Sequence, residues 1–216
     1  MSVGSVLLDI LFPPKCVYCR SFVKTGKDLT CPKCRTGLPY TEKGSHKEGE
    51  GFEGCYAPLY YEGNVRESLL RFKFKGCTGY ASEYGKLLAG CIRDNIDKYD
   101  IITWVPLSKN RYKSRGYDQS MLLAMAAALE LGDVAVQTLE KHLEAEKQSL
   151  QKSPEDRRRN IKGAYRVTEP ELVEGKRILL IDDIVTTGST LAECSKMLMD
   201  AGAESIVCAA VARGRE

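Results

Sequence analysis

The 216-residue sequence has no apolar run approaching the roughly 20 residues that a membrane-crossing helix needs. Nor has it a large excess of either charge: 32 Lys and Arg against 29 Asp and Glu leave +3 at pH 7. That balance gives no sign of a nucleic-acid-binding tail, although it is compatible with a local basic patch. The N-terminus has no basic segment, and Asp9 interrupts its apolar stretch, so no secretory signal is expected. No GxxxxGK[ST] sequence occurs, which removes a P-loop nucleotide site. Histidine is scarce, at His46 and His142 only. His46 reads as a surface residue, and a lone His142 in a polar segment is a weak candidate for a general base.

Cysteine, by contrast, is plentiful, with nine residues. Four form Cys16-x2-Cys19 and Cys31-x2-Cys34, with eleven residues between the pairs. Tetrahedral zinc takes four thiolates, and each CxxC turn supplies two at one corner. A redox dithiol would open a helix after a strand, which Pro14 and Lys15 before Cys16 do not provide. Structural Zn2+ on Cys16, Cys19, Cys31 and Cys34, in a reducing cytoplasmic setting, is therefore expected. Lys15, Arg20, Lys24, Lys27, Lys33 and Arg35 surround the motif. Few aromatics interleave with them, so a solvated basic face is expected in preference to a single-stranded DNA platform.

The pattern divides the chain at about residue 50. Residues 1–50 would hold a short amphipathic helix over Ser2–Phe12, docked on the protein and ended by Pro13-Pro14, and then the cysteine knuckle. Thr41–Gly54 is rich in Gly, Glu and Lys and reads as a linker. Its Gly49-x-Gly51-x-x-Gly54 matches a dinucleotide fingerprint by letter only, because no strand precedes it. Residues 51–216 would form an α/β domain with a parallel sheet and helices on both faces. Strands are expected at Cys55–Tyr61, Ile101–Val105, Val134–Leu139, Ala164–Val167, around Ile178–Ile181, and at Ser205–Val211. Helices are expected from Gly63 to about Phe74, over Tyr80–Ile96 and over Met121–Leu131. Lys73 and Lys75 suit a helix C-terminus, and equally a position facing a phosphate.

One stretch organises this domain: Ile178-Leu179-Leu180-Ile181-Asp182-Asp183-Ile184-Val185-Thr186-Thr187-Gly188-Ser189-Thr190. Four consecutive aliphatics read as a strand buried on both faces. Two carboxylates sit where it should emerge, and a hydroxyl-rich turn leads to a helix that Thr190 and Glu193 would cap. Ligands of open α/β sheets bind beyond the carboxyl ends of the strands, and helix N-termini hold phosphates. Carboxylates accept from sugar hydroxyls or help to hold a divalent ion. Diol acceptors beside a phosphate cradle describe a ribose 5-phosphate pocket. A second turn, Pro106-Leu107-Ser108-Lys109-Asn110 with Arg111, Lys113 and Arg115, offers N–H groups and cations suited to a pyrophosphate.

The first stretch resembles the phosphoribosyl pyrophosphate (PRPP) motif of type I phosphoribosyltransferases. The resemblance implies that Asp182 and Asp183 hold the ribose diol and are the catalytic pair, and that Thr186, Thr187, Gly188, Ser189 and Thr190 hold the 5-phosphate. Leu107, Ser108, Lys109, Arg111 and Arg115 would serve the pyrophosphate, with Mg2+ accompanying PRPP. The VPLS sequence, a downstream Arg and Arg115-Gly116-Tyr117-x-Gln119-Ser120, together with the double CxxC, are similar to the ComF competence family. That family usually has Asn where this chain has Asp118, which only accepts and is suited instead to capping the helix that begins near Met121. The polar segment with Gln148, Ser149, Arg157, Arg158, Arg159 and Asn160 lies where that fold places a loop over PRPP. Two functions follow from the resemblance. One is phosphoribosyl transfer to a nitrogen acceptor with release of pyrophosphate. The other is a non-catalytic, nucleotide-sensing accessory role in DNA uptake, with the knuckle contacting a protein partner or single-stranded DNA.

Overall fold

A computed structural model describes residues 13–24, 28–42, 46–142 and 163–215. The expected helix over Ser2–Phe12 and the polar segment from Gln148 to Asn160 lie outside the described residues. Eight strands and seven helices follow in chain order among those described: α1 (Pro32–Gly37), β1 (His46–Gly49), β2 (Phe52–Tyr56), β3 (Leu59–Tyr60), α2 (Gly63–Phe74), α3 (Tyr80–Asn95), β4 (Ile101–Trp104), α4 (Lys109–Arg115), α5 (Gln119–Leu131), β5 (Leu139–Lys141), β6 (Tyr165–Val167), α6 (Pro170–Val173), β7 (Arg177–Val185), α7 (Ser189–Asp200) and β8 (Ser205–Arg213).

The main sheet runs β1-β2-β8-β7-β4, and β3 also pairs with β8. All pairings except the β1–β2 hairpin are parallel. Its two middle strands carry continuous apolar runs, Ile178–Ile181 in β7 and Ile206–Ala212 in β8, because both of their faces are covered there. Leu179 and Ile181 of β7 pack under α2, α3 and α5. Ile178 and Leu180 pack towards α7 and the antiparallel β5–β6 pair. The α/β architecture with helices on both faces is thus as expected.

Three local expectations are corrected. The Thr41–Gly54 stretch is not a plain linker: it holds β1 and the start of β2, turned by Gly51 at φ 84°. The expected strand Cys55–Tyr61 is split into β2 and β3, because Pro58 lacks the N–H a ladder needs. Val134–Leu139 forms only one ladder residue, Leu139, although Ala135 bridges to Ile102.

The knuckle shares the core of the α/β domain. Cys16, Val17, Tyr18, Cys31, Cys34 and Leu38 are buried in one cluster with Val65, Leu69 and Phe72 of α2 and Tyr84 of α3. Tyr18 and Phe72 both meet the Tyr84 ring edge-on, at 6.1 and 5.4 Å between centroids. Such pairs add about 0.5–1.5 kcal/mol each beyond the area they bury.

Candidate functional site

The parallel register sets the site. Trp104 of β4 pairs with Ile181 of β7, and Val105 N–H donates to Ile181 O at 3.0 Å. β4 therefore ends beside Ile181, whereas β7 does not end at the acidic pair as expected: it runs on to Val185, still paired with β8, and Asp182 and Asp183 lie just past the end of β4. The Pro106–Ser108 turn and Asp182-Asp183 border one cavity of about 420 Å³. Leu107, Ser108, Arg111, Arg115, Asp182, Asp183 and Thr190 line it, from among the residues singled out in the sequence. Lys109, Thr186, Thr187, Gly188 and Ser189 do not line that cavity. The last four continue from it as the exposed-to-half-buried turn between β7 and α7.

That turn differs from the expected capping box. Gly188 is the N-cap, in the left-handed region at φ 77°, and α7 begins at Ser189, not after Thr190. Thr187 Oγ1 and Ser189 Oγ lie 2.9 Å apart, and Ser189 N–H points at Thr187 Oγ1 at 3.4 Å. Glu193, expected to close the box, accepts instead from the Gly163 N–H. The hydroxyls thus gather at the first turn of α7, where backbone N–H groups lack intrahelical partners.

The acidic pair is held unequally. Asp183 is buried, and its Oδ1 meets Lys73 Nζ at 3.0 Å. Its Oδ2 is buried without a hydrogen-bond partner among the described residues. Asp182 Oδ1 accepts from Ser120 Oγ at 3.0 Å and from Asp183 N–H at 2.8 Å. Burial, and then the neighbouring Asp183 charge, push its carboxyl up to about 7. Two adjacent carboxylates within a buried strand resist double ionisation, and the Lys73 ammonium partly offsets this.

Asp118 caps α5, accepting from Met121 N–H at 3.1 Å through Oδ1. Its Oδ2 accepts from Leu107 N–H at 2.8 Å. The Leu107 N–H, expected to face a ligand, is therefore engaged within the protein. Ser108 similarly caps α4, its Oγ accepting from Arg111 N–H at 3.4 Å. Arg115 donates to Gln119 Oε1 at 2.8 Å and lies 4.6 Å over the Phe74 ring. His142 is exposed and outside the cavity lining.

Lys141, Tyr165 and Ser120 also line the cavity, and sequence reasoning gave none of them a role there. Lys141 Nζ donates to Tyr165 OH at 3.0 Å, and burial pulls the lysine's pKa down. Four cationic residues, Lys73, Arg111, Arg115 and Lys141, face two carboxylates. The cavity is suited to an anion that also presents hydroxyls.

The four cysteine sulfurs all lie within 4.8 Å of one another. Cys19 Sγ and Cys31 Sγ are 3.6 Å apart, close to the edge of about 3.8 Å that a tetrahedron of ~2.3 Å zinc–sulfur bonds has. Cys31 and Cys34 N–H groups point at the sulfurs of Cys16 and Cys31, each at 3.4 Å. Backbone donors of this kind stabilise thiolate charge, so the set fits zinc.

The phosphoribosyl transferase domain model matches residues 118–216, the span that holds the acidic pair, the hydroxyl-rich turn and both middle strands of the mostly parallel sheet. The double zinc ribbon domain model matches residues 7–56. The chain is similar over most of its length to proteins named for competence and DNA utilization. It is 29% identical to competence protein ComFC of Bacillus subtilis over 87% of this chain and 78% of that one. Against competence protein F of Haemophilus influenzae the figures are 28%, 92% and 96%. Against DNA utilization protein YhgH of Escherichia coli K12 they are 29%, 88% and 86%. Among the described residues no helix is long and apolar enough to cross a membrane.

Proposed function

We propose that the cavity binds PRPP with Mg2+ and that the protein transfers the phosphoribosyl group to a nitrogen acceptor, releasing pyrophosphate. The observation that carries this reading is the Asp182-Asp183 pair, set between a hydroxyl-rich helix start and four cations. In the proposal Asp182 and Asp183 accept from the ribose 2′- and 3′-hydroxyls. The Thr186–Thr190 turn donates to the 5-phosphate. Ser108, Lys109, Arg111 and Arg115 neutralise the pyrophosphate, with Lys73 and Lys141 beside them. The Leu107 N–H joins only if Asp118 releases it. As the C1–O bond breaks, positive charge develops on the ribose and negative charge on pyrophosphate, and the acceptor nitrogen's lone pair takes C1. The protein contributes positioning and fixed charge.

Magnesium fits the donor set. Mg2+ is bound through one or two carboxylates, substrate phosphates and water, and the unpartnered Asp183 Oδ2 is a carboxylate oxygen facing that need. When bound, the ion would screen the phosphate charge.

Calorimetric titration of Mg·PRPP into the wild type and into Asp182→Asn/Asp183→Asn tests the reading. Micromolar binding that the double variant loses supports it. A folded, zinc-loaded wild type that does not bind sinks it. A second reading, an accessory role in DNA uptake in the cytoplasm, draws on the relatives' names as competence and DNA utilization proteins. It predicts salt-dependent binding of single-stranded DNA or of an uptake protein, and no binding at low salt would remove the DNA version.

A further inference from the structure

One helix touches both the cysteine knuckle and the acidic pair. At the knuckle, Val17 and Tyr18 are the two residues inside the Cys16-x2-Cys19 turn. Arg71 Nη2 donates to their carbonyls at 2.9 and 2.7 Å. Ser68, one turn earlier on α2, donates to Val17 O at 2.5 Å and lies 2.5 Å from Tyr84 OH. At the cavity, Lys73 reaches Asp183. Residues two apart on a helix point roughly 200° apart at 3.6 residues per turn. The same rod thus grips the metal turn with Arg71 and enters the cavity with Lys73.

The surroundings make the rod hard to shift. Phe72, between the two, is fully buried, and its carbonyl accepts from Tyr117 OH. The knuckle is held on α3 as well, through Arg20 to Tyr80 OH and Thr30 to Glu83 Oε2, both at 3.0 Å. The carbonyls that Arg71 grips belong to the turn presenting two of the four sulfurs. Their position therefore depends on that turn keeping its metal-bound shape. Without the metal, the four thiols have no reason to stay together, and a CxxC turn that opens carries Val17 O and Tyr18 O with it.

We propose that the knuckle is the brace of the cavity: through Arg71 and Ser68 it fixes α2 and thereby sets Lys73 on Asp183, so that the affinity of the cavity for its anionic ligand depends on the metal state of the cysteines. Arg71 is a positioning residue in this arrangement and Lys73 is the residue it positions. The consequence is directional. A knuckle that has lost zinc withdraws the ammonium that contacts Asp183, leaving more of the pair's negative charge to repel the phosphates of a ligand. Zinc loss then weakens binding at a cavity that holds none of the cysteines.

The test has a ligand-free arm and a ligand arm, both on the full zinc-loaded chain. In the first, the Lys73 ammonium is followed by its 15N signal, which hydrogen bonding to Asp183 slows from exchange and which Lys73→Met identifies by its loss. Arg71→Met, at unchanged zinc content, is expected to broaden or remove that signal, as is zinc removal by a chelator. In the second, Mg·PRPP is titrated by calorimetry. Lys73→Met and Arg71→Met are each expected to weaken binding about tenfold or more, the scale of one charge-assisted hydrogen bond. The double variant is expected to be no weaker than Lys73→Met alone, since both remove the same contact. Arg71→Lys, which keeps the cation, is expected to recover part of the loss and serves if Arg71→Met folds poorly. A Lys73 signal that survives both Arg71→Met and chelation overturns the proposal. So does additive loss in the double variant. The ligand arm rests on the phosphoribosyl reading, so a wild type that does not bind Mg·PRPP defeats that reading, and the 15N arm then decides the brace by itself.

Discussion

Replacing Asp118 is expected to cost stability in two separable parts. Asp118 joins two elements with two acceptors: Oδ1 caps α5 at Met121 N–H, and Oδ2 holds Leu107 N–H in the turn after β4. Asp118→Ala removes both. Loss of an N-cap costs about 1 kcal/mol. A part-buried Leu107 N–H left without its partner costs about 1–2 kcal/mol more, the lower part of the range for unsatisfied donors. The sum, about 2–3 kcal/mol, corresponds to a fall in Tm of roughly 4–12 °C for a chain of this size. Asp118→Asn keeps one oxygen and turns an NH2 towards the other donor, so about 1 kcal/mol is expected at neutral pH. The pH dependence has a defined sign. Burial raises the folded-state pKa of Asp118 above its unfolded value, so its contribution to stability is complete below the unfolded pKa and declines as pH rises through the folded one. The Asn variant lacks that contribution, and its deficit relative to wild type should therefore widen as pH falls from 7 towards 4. Urea unfolding of the zinc-loaded protein across that range measures both effects. Asp118→Ala within 0.5 kcal/mol of wild type, or an Asn deficit that narrows on acidification, refutes the reasoning; the 0.5 threshold is about the scatter of ordinary surface substitutions.

Three further outcomes are expected. If the diol rests on ionised carboxylates, Mg·PRPP affinity should rise between pH 6 and 8, because Asp182 is pushed up to about 7, and Asp182→Asn should flatten the profile; a flat wild-type profile by calorimetry contradicts this. Gly85→Ala should cost about 1–3 kcal/mol in urea unfolding, since the added Cβ would lie 2.6 Å from Ala126 Cβ and 2.7 Å from its backbone carbon, where α3 and α5 meet. Ser120→Ala removes a donor to Asp182, so the pH at which binding is half-lost should move up, read from the same titrations.

The sequence revealed the parts of the fold that rest on unambiguous patterns. Ile178–Ile181 is aliphatic because both faces of β7 are covered, and that needs no partner to be known. The two CxxC pairs were legible because four soft ligands at that spacing have few other uses, and their sulfurs do gather. What was illegible depended on distant residues. Glu193 looked like the second half of a capping box, but it serves the Gly163 N–H, and Gly188 takes the cap with a positive φ. The glycines at 49 and 51 looked like linker composition, whereas Gly51 turns a hairpin and the Phe52 ring packs against Gly49. Lys73 admitted two readings from sequence, a helix end or the ligand pocket. It occupies the second-last position of α2 and also reaches Asp183, so both describe it. Lys141 and Tyr165 lie 24 positions apart and meet only because β5 and β6 pair. Short flanking strands carry too little periodicity to announce such a pair.

The place of β8 has a consequence for how the molecule comes to exist. Its residues pair with β2 and β3 on one side and with β7 on the other. It is made after every strand it joins. During synthesis β2 and β3 are complete with no parallel neighbour yet made, and about 145 residues separate the end of β3 from the start of β8. The sheet can close only when Ser205–Arg213 arrives to fill the gap, so its assembly is a late, long-range event of the kind that folds slowly and leaves apolar strands open to aggregation. The cysteine turn, made early, gives the nascent chain a metal-held surface on which α2 and α3 can pack before the sheet exists.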